Sequence, residues 1–158
     1  MARRHLVGDV VSAERVVLVA KTSTLQRQLR TPDPKLGAIL DEKGPHGQRI
    51  VRSHDEHMRT LEQVTASLRG HGVRHRIVDT LRRRDARWAT LVITVGGDGT
   101  FLRASHCIDS AVDDDGTPMF GVNSSVSSSV GFFCVADGDD FADTFTQILQ
   151  GNCSSQGL

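Results

Sequence analysis

The sequence is short of the residues that give a small domain covalent or metal staples. Its 158 residues include three cysteines, Cys107, Cys134 and Cys153, and no two form a Cys-x-x-Cys pair. So sparse and odd a set argues against a disulfide framework and for reduced thiols in a cytoplasmic protein. Aromatic residues reach 4%, with no tyrosine, and they do not interleave with a basic patch. A single-strand nucleic-acid binder would need such stacking platforms. The formal net charge is +0, so no global field draws the chain to nucleic acid or anionic lipid. No apolar run approaches membrane-spanning length. Met-Ala-Arg-Arg at the start is not followed by the apolar stretch of a signal peptide. There is no Gly-x-Ser-x-Gly and no Walker A lysine motif, so hydrolase and P-loop readings lack support.

What is present is ordinary soluble composition, 38% hydrophobic and 24% charged, in a chain long enough for one domain with a core. Residues 15–20 are a β-branched apolar run and read as a first strand. Residues 31–51 hold Pro32, Pro34 and Pro45 with three glycines, which predicts a mobile loop. Ser53 and Glu56 form a capping-box pattern, and Met58, Leu61, Val64 and Leu68 follow at helical spacing. Residues 73–79, 91–95, 118–123 and 130–135 read as four more strands. Residues 81–88 fit either a short polar helix or a loop. The helix after residue 95 would turn Phe101, Ala104, Ser105 and Ile108 inward. A last helix over 139–150 would bury Phe141, Phe145, Ile148 and Leu149. Strands alternating with helices predict an α/β fold, a Rossmann-like open and mostly parallel sheet with helices on both faces. The domain would span 1–150, followed by a polar tail at 151–158.

The third strand runs into Gly-Gly-Asp-Gly-Thr at 96–100. Glycines there permit positive φ and let ligand atoms approach the backbone. Free N–H groups at the following helix start suit an anion such as phosphate. Asp98 would stand at the carboxyl end of the sheet, where open α/β folds bind ligands. A carboxylate repels phosphate, so its chemistry is to accept a hydroxyl proton, or to hold a ribose hydroxyl or magnesium. The competing structural role for Asp98 is a helix cap.

These residues carry a resemblance. Gly-Gly-Asp-Gly-Thr-Phe-Leu at 96–102 resembles the signature of NAD kinases, whose core motif extends to diacylglycerol, sphingosine and phosphofructokinase relatives. Phe-Gly-Val-Asn at 120–123 with Val-Gly-Phe-Phe at 130–133 is similar to a second family segment. Its longer spacing, with Val-Ala-Lys-Thr at 19–22, favours the mitochondrial-type branch. The resemblance implies transfer of the γ-phosphoryl group of ATP to the 2′-hydroxyl of the adenosine ribose of NAD. Asp98 would hold or deprotonate that hydroxyl, and Gly96, Gly97, Gly99 and Thr100 would shape the loop that cradles the ATP phosphates. Leu102, Arg103 and Asn123 would border the NAD pocket. Each has a plainer alternative: a core leucine, a solvent-facing arginine and a strand-end turn residue. Magnesium is expected to arrive with ATP, bound through phosphates and water, and no protein metal ligands are assigned.

The sequence departs from the family pattern in two places. Residues 124–129 are almost all serine, read as a flexible loop rather than a phosphate site. The family continues into an all-β domain that this sequence does not contain, so the isolated chain is expected to show little activity, or to be a non-catalytic nucleotide- or partner-binding module. A lipid-kinase-type relative is the other enzymatic alternative. A surface left for that second domain would favour homo-oligomers. His54 and His57 lack the spacing of a zinc-protease helix, Arg82, Arg83 and Arg84 read as a solvated face, and Asp113, Asp114 and Asp115 as a solvated turn.

Overall fold

A computed structural model describes residues 11–109 and 116–152. The acidic turn, Cys153 and the rest of the tail, and the first ten residues lie outside the described residues. The chain runs β1 (Arg15–Ala20), α1 (Thr24–Arg30), α2 (Pro34–Asp41), α3 (Pro45–Gly70), β2 (Arg74–Val78), α4 (Arg83–Trp88), β3 (Leu91–Gly96), α5 (Asp98–Asp109), β4 (Met119–Asn123), β5 (Cys134–Asp137) and α6 (Phe141–Leu149). The five strands form one sheet in the order β2-β1-β3-β4-β5, and every pair is parallel.

Helices cover both faces, which is why the central strands are apolar at consecutive positions; all six residues of β3 are buried. Val16 and Leu18 of β1 pack with Val64 and Leu68 of α3 and with Phe141 and Phe145 of α6. Val17 and Val19 point the other way, toward Ala86 of α4 and Ala104 and Ile108 of α5. The alternation along β1 thus divides one strand between two half-cores. The inward sets expected for the last two helices are in place: Phe101, Ala104, Ser105 and Ile108, then Phe141, Phe145 and Ile148, are buried. Leu149 packs against the core edge.

Several expectations are corrected. Residues 31–51 are not a loop. Asp33 accepts the Lys35 N–H at 2.8 Å and caps α2, and Pro34 and Pro45 occupy the first turns of α2 and α3. Proline there begins a helix, because its missing N–H would have no partner anyway. The helix expected to start at Ser53 therefore starts at Pro45, and Ser53 lies inside it. Its buried face includes His57 and Thr60 beside Val64 and Leu68, while Met58 is exposed. Residues 83–88 form a helix, with Arg82, Arg83 and Arg84 on the surface. The fifth strand is Cys134–Asp137 rather than 130–135. Gly131 sits at φ 63° and accepts the Cys134 N–H through its carbonyl, so the chain turns before it can pair. Cys107 and Cys134 are half-buried, Cys107 against the half-core under α5.

Candidate functional site

The winding of the sheet reverses between β1 and β3, and open α/β sheets bind ligands outside the carboxyl ends of the strands at such a point. The ends are tied together. Lys21 donates its N–H to the Val95 carbonyl at 2.9 Å, and Ser124 donates its N–H to the Gly96 carbonyl at 2.9 Å. The Gly-Gly-Asp-Gly-Thr loop, the residues after β1 and the serine segment after β4 therefore meet at one place.

None of Gly96, Gly97 and Gly99 has positive φ, which corrects the expected reason for glycine. At Gly96, and less sharply at Gly97, the value lies in the missing Cβ. A Cβ on Gly96 would lie 2.5 Å from Thr100 Oγ1 and 3.2 Å from Lys21 Cβ. A Cβ on Gly97 would lie 3.2 Å from Ser129 Oγ, and one on Gly99 would lie 3.4 Å from Arg103 Nη1. Thr100 is buried, with its hydroxyl folded against Gly96 rather than turned outward. Gly96→Ala should push Thr100 off its seat and cost about 1–3 kcal/mol of stability. Denaturant unfolding measures this, and an unchanged midpoint would contradict the packing described.

Asp98 opens α5 but does not serve as its cap. Its Oδ1 accepts the Phe133 N–H at 2.8 Å and its Oδ2 accepts the Phe132 N–H at 3.1 Å. One carboxylate thus ties the glycine loop to the segment before β5. A carboxylate offers about four acceptor positions, so two remain. Cys134, beside this pair, has its thiol pushed up to about 11, by burial first and by the Asp98 charge second.

The remaining expected residues separate. Arg103 is exposed, with its guanidinium beside Gly99. Leu102 is 38% exposed, so it is not a core residue. Asn123 is buried and holds the serine turn: its Nδ2 donates to the Ser129 carbonyl at 2.9 Å, and its Oδ1 accepts the Ser125 N–H at 3.1 Å. Its geometry is that of the strand-end turn residue. Gly131 must stay small for the same reason, since its Cβ would lie 2.6 Å from Asn123 Nδ2.

The serine segment is a built polar layer rather than a flexible loop. Lys21 Nζ donates to Ser125 Oγ at 2.7 Å, and Ser53 Oγ lies 3.3 Å from the same oxygen. His57 Nδ1 pairs with Ser124 Oγ at 2.8 Å, and Ser127 Oγ donates to Glu56 Oε2 at 2.8 Å. Ser23 Oγ pairs with His54 Nδ1 at 2.8 Å. Sequence reasoning had noticed Lys21 and weighed His54 and His57 only as metal ligands. Their i, i+3 spacing on one helix face was the available signal. Among the described residues no cluster of metal-ligating side chains occurs.

Burial lowers the Lys21 ammonium below its ordinary value, partly offset by Glu56. His57 is lowered to about 4, by burial first, then by the Lys21 and His54 charges. Its Nε2 is buried with no hydrogen-bond partner of good geometry, although the nearby Lys21 backbone pulls the ring the other way. The folded state thus keeps His57 neutral at a pH where the unfolded chain, near 6.5, already binds a proton. Stability should be full above about pH 6.5 and fall by an order of 3 kcal/mol between there and pH 4. Unfolding measured across that window checks this against His57→Gln, which should flatten the fall.

Fold and sequence together define a doubly wound, all-parallel α/β domain with a glycine-rich, carboxylate-bearing turn from β3 into α5 at its switch point. Residues 17–153 match the ATP-NAD kinase N-terminal domain, and the chain belongs to the ATP-NAD kinase family. It is 34% identical over 132 residues to human "NAD kinase 2, mitochondrial", covering 77% of this chain and 28% of that protein. It is 40% identical over 76 residues to an Arabidopsis thaliana "NADH kinase", covering 39% of this chain and 22% of that protein. It is 33% identical over 99 residues to the "NAD kinase" of Thermobifida fusca, covering 61% of this chain and 28% of that protein. The chain thus matches less than a third of the length of each of these relatives.

Proposed function

We propose that this chain supplies the N-terminal half of an NAD kinase site and that Asp98 handles the acceptor hydroxyl. The observation that carries this reading is the position of Asp98, which opens α5 directly after β3 at the carboxyl end of the sheet, with two of its carboxylate's acceptor positions used by Phe132 and Phe133. One carboxylate oxygen accepts the hydrogen of the adenosine 2′-hydroxyl of NAD. The 2′-oxygen of the ribose then attacks the γ-phosphorus of ATP, its proton passes to the Asp98 carboxylate, the bond to the β,γ-bridging oxygen breaks, and ADP leaves with the bond's electron pair. The N–H groups of Asp98 and Gly99 at the start of α5 meet the phosphates, while those of Thr100 and Phe101 are held by the Gly97 carbonyl, and Arg103 adds positive charge beside Gly99. Thr100 contributes shape, by seating against Gly96. Magnesium enters as part of the MgATP substrate, held by phosphates and water.

Phe132 supports the same reading. It is 80% exposed, yet its N–H is bonded to Asp98. A base stacked on that ring would bring its own ribose toward the carboxylate. No helix among the described residues is long and apolar enough to cross a membrane. The free thiol of Cys134 fits a reducing compartment such as the cytoplasm.

The second reading, a nucleotide-binding module without turnover, is favoured by one fact: the Asp98 carboxylate already has a structural task. Incubation with MgATP and NAD, followed by 31P NMR, separates the two. NADP formation at a low rate, as half a site allows, with none from an analogue lacking the adenosine 2′-hydroxyl, is the expected result. Binding of both nucleotides without any transfer would replace it with the second reading.

A further inference from the structure

β2 is a terminal strand of the sheet. It pairs with β1 over all five of its residues without a bulge. Among the described residues its backbone makes no bond to any other segment. Its sequence, Arg-His-Arg-Ile-Val, holds no proline. Such an edge is a regular row of free N–H and carbonyl groups, open to one more strand. The side chains give this edge a sign. Residues 69–88 hold seven of the chain's 19 Lys and Arg residues and two of its 19 acids, Asp79 and Asp85. All seven are arginine, and all are exposed. Both acids are already engaged: Asp79 pairs with Arg30 of α1, and Asp85 with Arg84 and the Arg82 N–H. Arg74 and Arg76 form no ion pair among the described residues. The register sets Arg74 beside Arg15 and Arg76 beside Val17, so both stand on the α4 face of the sheet. Arg76 lies over the Trp88 ring, 4.0 Å from its centre. Trp88 is fixed in turn by Arg15, whose Nε donates to its carbonyl at 2.7 Å. A guanidinium seated on a ring keeps its N–H fork free at the rim. On the other face of β2, Ile77 is 50% exposed.

We propose that the β2 edge takes an extended acidic peptide of a partner protein as a sixth strand. Backbone pairing supplies the affinity, and alternate side chains supply the selectivity. Two acids, one residue apart, meet Arg74 and Arg76 on the α4 face, where a carboxylate fits the guanidinium fork. An apolar residue next to them points to the other face and covers Ile77. A second copy of this chain is the poorer occupant, because β2 against β2 sets arginine against arginine. A nucleic acid would use the charges but neither the backbone edge nor Ile77, so the observations favour a peptide. The inference stands apart from the kinase reading: it uses none of the residues of the glycine loop.

The test is an NMR titration of the 15N-labelled chain with the blocked peptide Ser-Glu-Val-Glu-Val-Glu-Ser. The control peptide has the same composition in blocks, Ser-Glu-Glu-Glu-Val-Val-Ser. The alternating peptide should move the amide signals of residues 74–78 and slow their exchange with solvent. Added salt should weaken it, and the control should bind several-fold more weakly. The double variant Arg74→Glu/Arg76→Glu should weaken binding more than about tenfold. A peptide with lysine in place of glutamate should bind that variant instead. If the variant unfolds, the unmodified chain decides through the signals of residues 74–78 and the two peptides. Static signals there would overturn the proposal. Equal binding of both peptides, with a thymidine oligonucleotide binding as tightly, would make the patch a reader of charge alone and overturn it too. Signals of residues 74–78 that shift with chain concentration in the absence of peptide would assign the edge to a second copy, against the proposal.

Discussion

Replacing Asp98 by asparagine should lower the rate of NADP formation by about 10²–10⁴-fold, the usual contribution of a positioned proton acceptor. The substitution keeps size and hydrogen-bonding shape but removes the charge and half of the acceptor capacity. It acts twice. The asparagine carbonyl can accept from only one side, so one of the amides of Phe132 and Phe133 faces an NH2 group and loses its partner. Such a loss costs about 1–3 kcal/mol, and the melting temperature should fall accordingly. The catalytic effect is separated by assaying well below that temperature. There kcat and kcat/KM should fall together, as for an interaction made only in the transition state. A variant that melts earlier but turns over at the wild-type rate would make Asp98 a loop-tying residue and nothing more.

Phe145→Ala is the second large effect, and it is one of stability. Phe145 is fully buried in α6. It stacks on Phe141 at 5.4 Å and meets the His71 ring edge-on at 5.3 Å. Removing it opens a cavity where α6 packs against α3 and the sheet. The expected loss is about 3–5 kcal/mol, a large share of the 5–15 kcal/mol that holds a typical domain together. The denaturant midpoint should shift strongly with little change in slope. Leu149→Ala, at the edge of the same cluster, should cost clearly less. Equal losses would mean that the half-core under α6 is not packed as described. The rate of NADP formation should survive in whatever fraction remains folded, because Phe145 is remote in role from the glycine loop.

The parallel sheet was readable because buried strands leave consecutive apolar residues, as at Leu91–Gly96, and because glycines after a strand mark a turn into a helix. Asp98 was readable for the same reason. Pro34 and Pro45 misled because proline both breaks helices and begins them; the cap at Asp33 marks Pro34 as a helix start, but Gly44 before Pro45 offers no side-chain cap. Thr100 and Asn123 were found as positions but not as roles: whether a hydroxyl or amide faces a ligand or a neighbouring turn depends on contacts across the fold. The Lys21–Ser125 and His57–Ser124 pairs join residues 104 and 67 apart. No local pattern announces such partners. Serine repeats look like linkers until something buried binds them.

The strand order has a consequence for how the chain is made. β1 has as neighbours only β2 and β3, whose pairings begin at Arg74 and Leu91. During synthesis its apolar run at 16–20 leaves the ribosome long before either neighbour exists. At about 5–20 residues per second, the wait for β3 is roughly 4–14 s. For that interval the nascent chain exposes a bare strand with two unsatisfied edges, a natural client for a ribosome-associated chaperone. The candidate site itself forms late, only once β3 and then β4 have emerged to complete it.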